Sequence, residues 1–243
     1  MKFIYFEALV FYNNMFLKLI FGVIFSLVLV CVFGMPIVSE PTRWYQLPNI
    51  QGLGDKVRII FFHVPIAWVT VIAFLSSLLS SFRYLITKNI YYDIKSVTAA
   101  ELGFLFCILA TITGAIWAKF SWGVYWNWDP RQTSIFILLL IYGAYFALRS
   151  SIENEEKKSI ISAVYSILAG ISVPFFIFII PRVVASLHPA PIINLQAKLY
   201  MNLTIFILFI LSLLCFTILY FWIFKLKIHL LVLENKIQSI ERN

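Results

Sequence analysis

Charged residues are scarce in this chain, at 12% of 243 residues, whereas hydrophobic residues make up 62%. The apolar residues form long uninterrupted runs and do not follow the spacing of amphipathic helices. The polar segments between the runs are too short to fold as a soluble domain. The composition therefore excludes a soluble globular protein and predicts a polytopic membrane protein.

Closely spaced cysteines are also missing. Cys31, Cys107 and Cys215 lie far apart within apolar runs, and the sequence holds no Cys-x-x-Cys or Cys-x-x-Cys-His motif. This absence argues against thiol exchange and against covalent attachment of haem to this chain. The sequence also lacks a Gly-rich phosphate loop and a Ser or Cys nucleophile in a suitable turn, so it does not indicate an enzyme.

Six apolar runs are long enough to cross the hydrocarbon core of a bilayer, which takes about 20 residues of helix. They predict an all-α fold with six transmembrane helices in a single membrane domain, residues 1–243. No small-residue cleavage site follows the first run, so we interpret it as a retained helix and not as a signal peptide. The runs are Leu19–Val38, Ile59–Ser80, Val97–Ala118, Pro130–Leu148, Ile160–Ile180 and Leu199–Phe224.

The distribution of basic residues indicates the orientation. Of the 19 Lys and Arg residues, 12 fall in the N-terminus, the second and fourth loops and the C-terminal tail, and 7 fall in the first, third and fifth loops. The positive-inside rule then predicts that both termini are cytoplasmic. The net charge of +8 is scattered and forms no basic stripe, so nucleic acid is not a predicted partner.

The predicted outer loop between the third and fourth helices, residues 119–134, is unusually aromatic. Its segment WGVYWNWDPRQTS contains Trp122, Trp126 and Trp128. Tryptophan often anchors helices at the membrane interface, but an anchoring belt is spread over all loops. Three indoles in one short loop therefore favour an apolar binding surface.

Asp129 and Pro130 give this loop a defined end. Asp is a favoured N-cap and Pro a favoured first helical residue, so we predict that the fourth helix begins at this pair. A helix from Pro130 to Arg149 would span about 30 Å at 1.5 Å per residue. The aromatic loop is then expected at the membrane surface, held at one end by a capped helix.

Two of the three histidines fall on the same predicted side as this loop. His63 lies at the outer start of the second helix and His188 in the loop after the fifth, whereas His229 belongs to the inner tail. Each has an ordinary interpretation, as a satisfied histidine at a helix start or a plain loop residue. Ionisable groups near the apolar region are nevertheless costly and tend to mark function. We therefore treat the two same-side imidazoles as candidate ligands.

Haem suits this set of residues better than a zinc ion. Zinc takes three or four ligands, and the outer loops add only the distant Glu40 and Asp55 and the capping Asp129. Two imidazoles can fill both axial positions of a haem iron, and a planar macrocycle packs well on aromatic rings. Haem propionates need cations near the rim, and the neighbouring arginines are Arg58, Arg131 and Arg182.

The tryptophan-rich segment also carries a family resemblance. WGVYWNWD resembles the Trp-Gly-x-x-Trp-x-Trp-Asp signature of haem-handling membrane proteins of cytochrome c biogenesis, and HVPIAW and SLHPAP are similar to the histidine segments that flank it. The chain most resembles the haem exporter protein C family, over nearly its whole length. The resemblance implies haem b bound non-covalently, with His63 and His188 as axial ligands. The residues that it implies for haem binding are His63, His188, Trp122, Gly123, Trp126, Trp128, Asp129 and Arg131.

The same resemblance implies a haem-delivery protein and not an enzyme. In that family haem passes to a membrane-anchored haem chaperone, and an ATP-binding-cassette complex then frees the loaded chaperone. The expected partners are that chaperone, the ABC-transporter subunits and the lipid bilayer. The expected location is the bacterial inner membrane with the site facing the periplasm, and the mitochondrial inner membrane is the alternative.

Three other functions stay open. Val183–Leu187 lacks the Trp-Trp pair that many relatives carry before the second histidine, which leaves the subfamily undecided and admits a short cytochrome c synthase-like subunit. A membrane cytochrome b subunit of a redox enzyme is the second alternative, although its haem ligands normally lie within the helix bundle. A small-solute transporter is the third, and the lack of broken helices paired with buried charges argues against it.

Overall fold

Six helices long and apolar enough to cross a membrane form the fold, which confirms the predicted all-α polytopic architecture. The computed structural model describes residues 15–49, 54–188 and 202–241. The α-helices are α1 (Met15–Gly34), α2 (Ile60–Thr87), α3 (Ile90–Trp122), α4 (Pro130–Ser151), α5 (Glu155–Pro174), α6 (Ile180–Val183) and α7 (Leu203–Glu241). α5 and α6 belong to a single span, Glu155–Val183. A 3-10 helix (Gly54–Ile59) leads into α2, and a π-helical turn (Phe175–Ile179) joins α5 to α6.

The central helices are longer than the apolar runs that predict them. α2 continues to Thr87, beyond the predicted end at Ser80. α3 has 33 residues, a length of about 50 Å that exceeds the roughly 30 Å of the hydrocarbon core. The ends of these helices therefore extend beyond the hydrocarbon core. The predicted start of the last helix at Leu199 lies outside the described residues, and α7 is described from Leu203.

α1 ends earlier than the sequence predicts. The first apolar run extends to Val38, but the helix stops at Gly34 because glycine and the following Pro36 both disfavour helical backbone. Ile37–Val38 instead forms β1, which pairs in parallel with β2, Leu47–Pro48. This small pair of strands lies between α1 and the 3-10 helix in the sequence.

Small residues allow α2, α3 and α5 to pack closely in the centre of the bundle. The Ser77 hydroxyl lies 2.8 Å from the carbonyl oxygen of Ser96 on α3 and 2.9 Å from the hydroxyl of Ser166 on α5. A Cβ atom at Gly103 would lie only 2.6 Å from the Phe74 ring. Close approach of this kind, with hydroxyl groups bonded between helices, is the usual packing of membrane helices.

A buried ion pair joins α3, α4 and α5 at one end of the bundle. Arg149 donates to both carboxylate oxygens of Asp93, at 3.0 and 2.7 Å, and Ser159 donates to the same carboxylate at 3.1 Å. A bidentate pair fixes the relative orientation of its partners. Asp93 lies in the first turn of α3 and Arg149 in the last turn of α4, so the two helices are antiparallel. The last turn of α3 and the first turn of α4 therefore lie at the opposite end of the bundle.

Candidate functional site

The tryptophan loop, residues 123–129, connects α3 to α4 at this opposite end, here called the tryptophan end. It is shorter than the predicted loop of residues 119–134, because α3 continues through Trp122 and α4 begins at Pro130. The starts of α2 and α4 and the ends of α3 and α6 share this end of the bundle. Segments that are far apart in sequence are thereby brought together.

Local hydrogen bonds hold the tryptophan loop in place. Gly123 ends α3 with a φ of 83°, a backbone conformation that favours glycine, and its N–H donates to the carbonyl of Lys119 at 3.1 Å. Gln132 in the first turn of α4 accepts from the N–H of Asn127 and donates to the carbonyl of Tyr125, both at 3.1 Å. The loop is therefore bonded to both helices that it connects.

Asp129 is the N-cap of α4, as the sequence predicts, and it also binds the segment after α6. Its carboxylate accepts the N–H of Arg131 at 3.0 Å. It also accepts hydrogen bonds from the Ser186 hydroxyl at 2.9 Å and the N–H of Leu187 at 2.7 Å, and it lies 2.8 Å from Nδ1 of His188. The Asp129 side chain is 1% exposed and that of His188 13%. One buried carboxylate thus caps a helix and holds a candidate ligand.

Burial and hydrogen bonding determine the protonation states of this pair. Burial alone would raise the pKa of Asp129, but hydrogen bonds from the N–H groups of Arg131 and Leu187 and from Ser186 hold that pKa below its usual value. Burial lowers the pKa of His188 to about 4; Asp129 opposes this shift and Arg131 adds to it. At neutral pH the ionised carboxylate can only accept, so Nδ1 of neutral His188 donates and its Nε2 keeps a lone pair.

The second candidate ligand, His63, lies in the first turn of α2 and is partly buried against α3. Its Nδ1 is 3.0 Å from Oγ1 of Thr113. A Cβ atom at Gly114 would lie 2.8 Å from Cε1 of His63, which is too close for an alanine without movement of the ring. Glycine at this position therefore permits the imidazole to approach the backbone of α3.

α3 brings the two histidines together. Thr113 contacts His63, and Trp117, one helical turn further along the same face, contacts His188 with ring centroids 5.3 Å apart. Trp122 meets the same imidazole edge to face, at 4.8 Å. The two imidazoles interact electrostatically, as expected for groups about one helical turn apart along α3. α2 and the segment after α6 thus converge on the last turns of α3.

Trp117, Thr113 and Gly114 are site residues that sequence reasoning does not identify. Trp117 is 9% exposed and packs edge to face on Trp122, with centroids 4.9 Å apart. Trp117 lies close to the tryptophan-rich segment in the sequence, and this position could have identified it as a site residue. Thr113 and Gly114 have no comparable signal, because their role depends on contact with His63, which is 50 positions from Thr113 in the sequence.

Trp126 and Trp128 form a separate aromatic group. Their rings meet edge to face at 5.7 Å, and each also contacts Phe136 of α4, at 6.1 and 6.2 Å. Trp128 has a φ of 61°, uncommon for a residue with a side chain, and is 66% exposed. The three predicted indoles are therefore divided, with Trp122 against His188 and the other two against α4.

The three predicted arginines differ in their surroundings. Arg58 donates to the carbonyl oxygens of Val32 and Met35 and joins the end of α1 to the 3-10 helix. Arg182 donates to the carbonyl of Phe178 at 2.6 Å. Arg131 interacts electrostatically with both imidazoles, and Arg182 lies within electrostatic range of it. Arg131 is thus close enough to act on both candidate ligands.

The fold and the site together define a class: a six-span membrane protein with two partly buried histidines at one end of the bundle, one of which contacts two tryptophans. Within that class, the chain belongs to the haem exporter protein C family. The family model described as "Heme exporter protein C" matches residues 9–243, nearly the whole chain.

Individual relatives agree with this assignment. The chain is 34% identical to the heme exporter protein C of Paracoccus denitrificans over 139 residues, which cover 54% of this chain and 58% of the relative. It is 32% identical over 135 residues to a ccmC-like mitochondrial protein of cytochrome c biosynthesis in Marchantia polymorpha, covering 56% of each. A shorter alignment with the cytochrome c biogenesis protein CcsA of Fagopyrum esculentum shows 37% identity over 90 residues, which cover 37% of this chain and 28% of the relative. The chain spans little more than half the length of the first two relatives.

Proposed function

We propose that this protein binds haem b non-covalently at the tryptophan end, with His63 and His188 as axial ligands, and delivers it to a haem chaperone for cytochrome c maturation. The observation that carries the proposal is that both imidazoles pack on one face of α3, His63 against Thr113 and His188 against Trp117. In each imidazole Nδ1 faces a protein hydrogen-bonding group, which leaves Nε2 for the iron.

The protonation state of His188 supports a ligand role. A histidine binds metal only as the neutral imidazole. Because burial lowers the pKa of His188 to about 4, this side chain is neutral and ready to bind throughout the physiological range. Two neutral imidazoles match the two axial positions of a haem iron. Among the described residues no group of three or more His, Cys, Asp and Glu side chains is placed to hold a bare metal ion.

The groups around the histidines suit the rest of the haem molecule. Trp117 and Trp122 supply aromatic surface beside His188, against which a macrocycle can pack. Arg131 supplies positive charge for the propionates, and Gly123 and Asp129 fix the two ends of the tryptophan loop. Haem is the cargo in this arrangement, and the protein acts as a carrier and not as an enzyme.

The exposure of the tryptophan loop suits transfer of haem to another protein. Tyr125 is 59% exposed and Trp128 66% exposed, so large apolar groups face outward beside the site. The partners in this proposal are a membrane-anchored haem chaperone and the ABC-transporter subunits of the maturation complex. We place the protein in the bacterial inner membrane, or the mitochondrial inner membrane as the alternative, with the tryptophan end facing the periplasm or the equivalent space.

A visible absorption spectrum of the detergent-purified protein tests the proposal. The wild type is expected to show a low-spin spectrum with two axial histidines. His63→Ala and His188→Ala should each lose that spectrum and bind haem more weakly. His229→Ala is the matched control, because His229 is exposed and lies in the part of α7 far from the tryptophan end.

Two results would contradict the assignment. Equal spectra in all three alanine variants would remove both axial ligands. Unchanged maturation of cytochrome c in cells that carry either site variant would show that the bound haem is not the haem delivered.

A second candidate function is that of a short cytochrome c synthase-like subunit. The match to the cytochrome c biogenesis protein CcsA favours it, but that match covers only 37% of this chain. The two functions differ in their need for a haem chaperone. Cytochrome c maturation that depends on this protein but continues in cells without any haem chaperone would support the synthase-like role.

A further inference from the structure

The hydrogen bonds around Thr113 determine which nitrogen of His63 can carry a proton. A threonine hydroxyl has one proton to donate and two lone pairs to accept with. Oγ1 of Thr113 lies 2.8 Å from the carbonyl oxygen of Leu109 and 3.2 Å from that of Ala110, both of which are acceptors only. The hydroxyl proton is therefore directed to the α3 backbone.

The same hydroxyl must then accept from His63. With its proton bonded to the backbone, Oγ1 of Thr113 presents a lone pair to Nδ1 of His63, 3.0 Å away. Nδ1 is the donor in this bond, and in the neutral imidazole Nε2 is consequently bare. Gly114 contributes space, because an added methyl group would lie 2.8 Å from Cε1 of His63 and force the ring to move.

We propose that Thr113 is a positioning residue that holds His63 in the tautomer with the proton on Nδ1, so that Nε2 is directed to the ligand. His188 has the same arrangement with a different acceptor, because its Nδ1 faces the Asp129 carboxylate. The site thus uses one charged and one neutral acceptor for its two imidazoles. The tautomer itself does not depend on the proposed function, whereas its consequence for haem binding rests on it.

The tautomer can be measured without haem. The chain has only three histidines, so 15N-histidine labelling gives a small set of imidazole signals, in which N–H and bare nitrogens are well separated. At pH 8 we expect His63 with a protonated Nδ1 in the wild type and in Thr113→Ser, which keeps the hydroxyl. Thr113→Val should weaken this preference, because valine has the shape of threonine and no acceptor, and only the carbonyl of Ala110 then remains as an acceptor beside the imidazole.

Thr111→Val is the matched control for the valine substitution. Thr111 lies on the same helix, is partly buried, and donates to the carbonyl of Cys107 at 2.8 Å, just as Thr113 donates to that of Leu109. A wild-type His63 protonated on Nε2 would overturn the proposal. An Nδ1 tautomer that survives equally in Thr113→Val and Thr111→Val would overturn it as well.

Haem titration then tests the consequence. Loss of a group that orients a metal-binding histidine commonly costs 10–100-fold in affinity, and we expect a loss of about this size for Thr113→Val and none for Thr111→Val. In a His63→Ala background Thr113→Val should have no further effect, since the hydroxyl acts through that imidazole. If His63→Ala weakens binding and Thr113→Val does not, the positioning role fails and the proposed function stands. If His63→Ala binds haem normally, the ligand assignment fails, and the tautomer measurement alone decides the role of Thr113.

Discussion

Asp129 combines two structural roles that the sequence separates. Its position before Pro130 predicts an N-cap, and the N–H of Arg131 confirms it. The same carboxylate also accepts Nδ1 of His188 and the N–H of Leu187, about 60 residues further along the chain. A pattern of neighbouring residues can predict the first role, because capping is local. The second depends on how the end of α6 packs against α4, which local patterns do not contain.

The two roles of Asp129 can be separated by comparing Asp129→Ala with Asp129→Asn. Alanine removes the cap, at a cost of about 0.5–2 kcal/mol, and also removes the acceptor of His188. Asparagine is an equally good cap but offers one acceptor oxygen instead of a carboxylate. We expect Asp129→Ala to lower both thermal stability and haem affinity, the latter by roughly 10–100-fold. Asp129→Asn should retain stability and lose part of the haem affinity. Wild-type haem affinity in the alanine variant would limit Asp129 to capping.

The lowered pKa of His188 predicts a loss of stability on acidification. A histidine with a pKa of about 4 when folded and an ordinary value when unfolded favours the folded state above pH 6.5, and this contribution disappears as the pH falls towards 4. The groups that act on His188 are Asp129, Arg131 and His63. Between pH 6.5 and 5 the haem-free wild type should lose about 2 kcal/mol relative to His188→Gln. Parallel thermal stabilities of the two proteins over this range would contradict the assigned pKa.

At the scale of elements, the sequence predicts the helices well and their ends less well. Apolar runs identify all six spans, because a bilayer requires about 20 apolar residues for each crossing. The ends depend on polar residues that hydropathy does not detect. α3 reaches Trp122 because Gly123 can adopt the positive φ that ends it, whereas α1 stops at Gly34 before its apolar run is complete.

Trp126 and Trp128 contact Phe136 of α4, whereas Trp122 contacts His188, and this difference gives a prediction about the tryptophan loop. If Trp126 and Trp128 form a surface for haem, changing both to Ala should leave the protein in the membrane and weaken haem binding by about 0.5–1.5 kcal/mol for each lost aromatic contact. Changing both to Phe should cost less, because most of the apolar area remains. Haem retention and cytochrome c production are the two measurements.

Trp44→Ala is the control for this experiment. Trp44 is 75% exposed and contacts Tyr45 outside the tryptophan loop. Trp44→Ala removes an exposed indole that could anchor the protein at the interface but does not belong to the tryptophan loop. We therefore expect this variant to bind haem normally. Normal haem retention and normal cytochrome c production in the double alanine variant would reduce Trp126 and Trp128 to membrane anchors.

At the scale of the whole molecule, the bundle has two polar ends of different kinds. The end that carries Asp93, Arg149 and Ser159 holds a bidentate ion pair between α3 and α4, to which Ser159 of α5 also donates. The tryptophan end carries the imidazoles of His63 and His188 and the exposed aromatic residues of the tryptophan loop. The sequence predicts that the histidines and tryptophans share one side, because the number of spans between them fixes their side relative to one another. It does not predict that His63 and His188 contact α3 one helical turn apart, since this requires the packing of both α2 and the segment after α6 against α3.

The orientation of this bundle in the membrane is predicted by charge alone and can be tested with introduced cysteines. Val124 in the tryptophan loop is 46% exposed, and Glu153 between α4 and α5 is exposed at the other end. Cysteine at either position should be accessible to a reagent without loss of a helix cap, in contrast to Asn154, which caps α5. With cytoplasmic termini, Val124→Cys should react in intact cells with a membrane-impermeant thiol reagent, and Glu153→Cys only after the membrane is opened. The unsubstituted protein is the control, because two of its cysteines are buried and the third is partly buried. The opposite labelling pattern would place both histidines on the cytoplasmic side, where a periplasmic haem chaperone could not receive haem from them, and would end the delivery proposal.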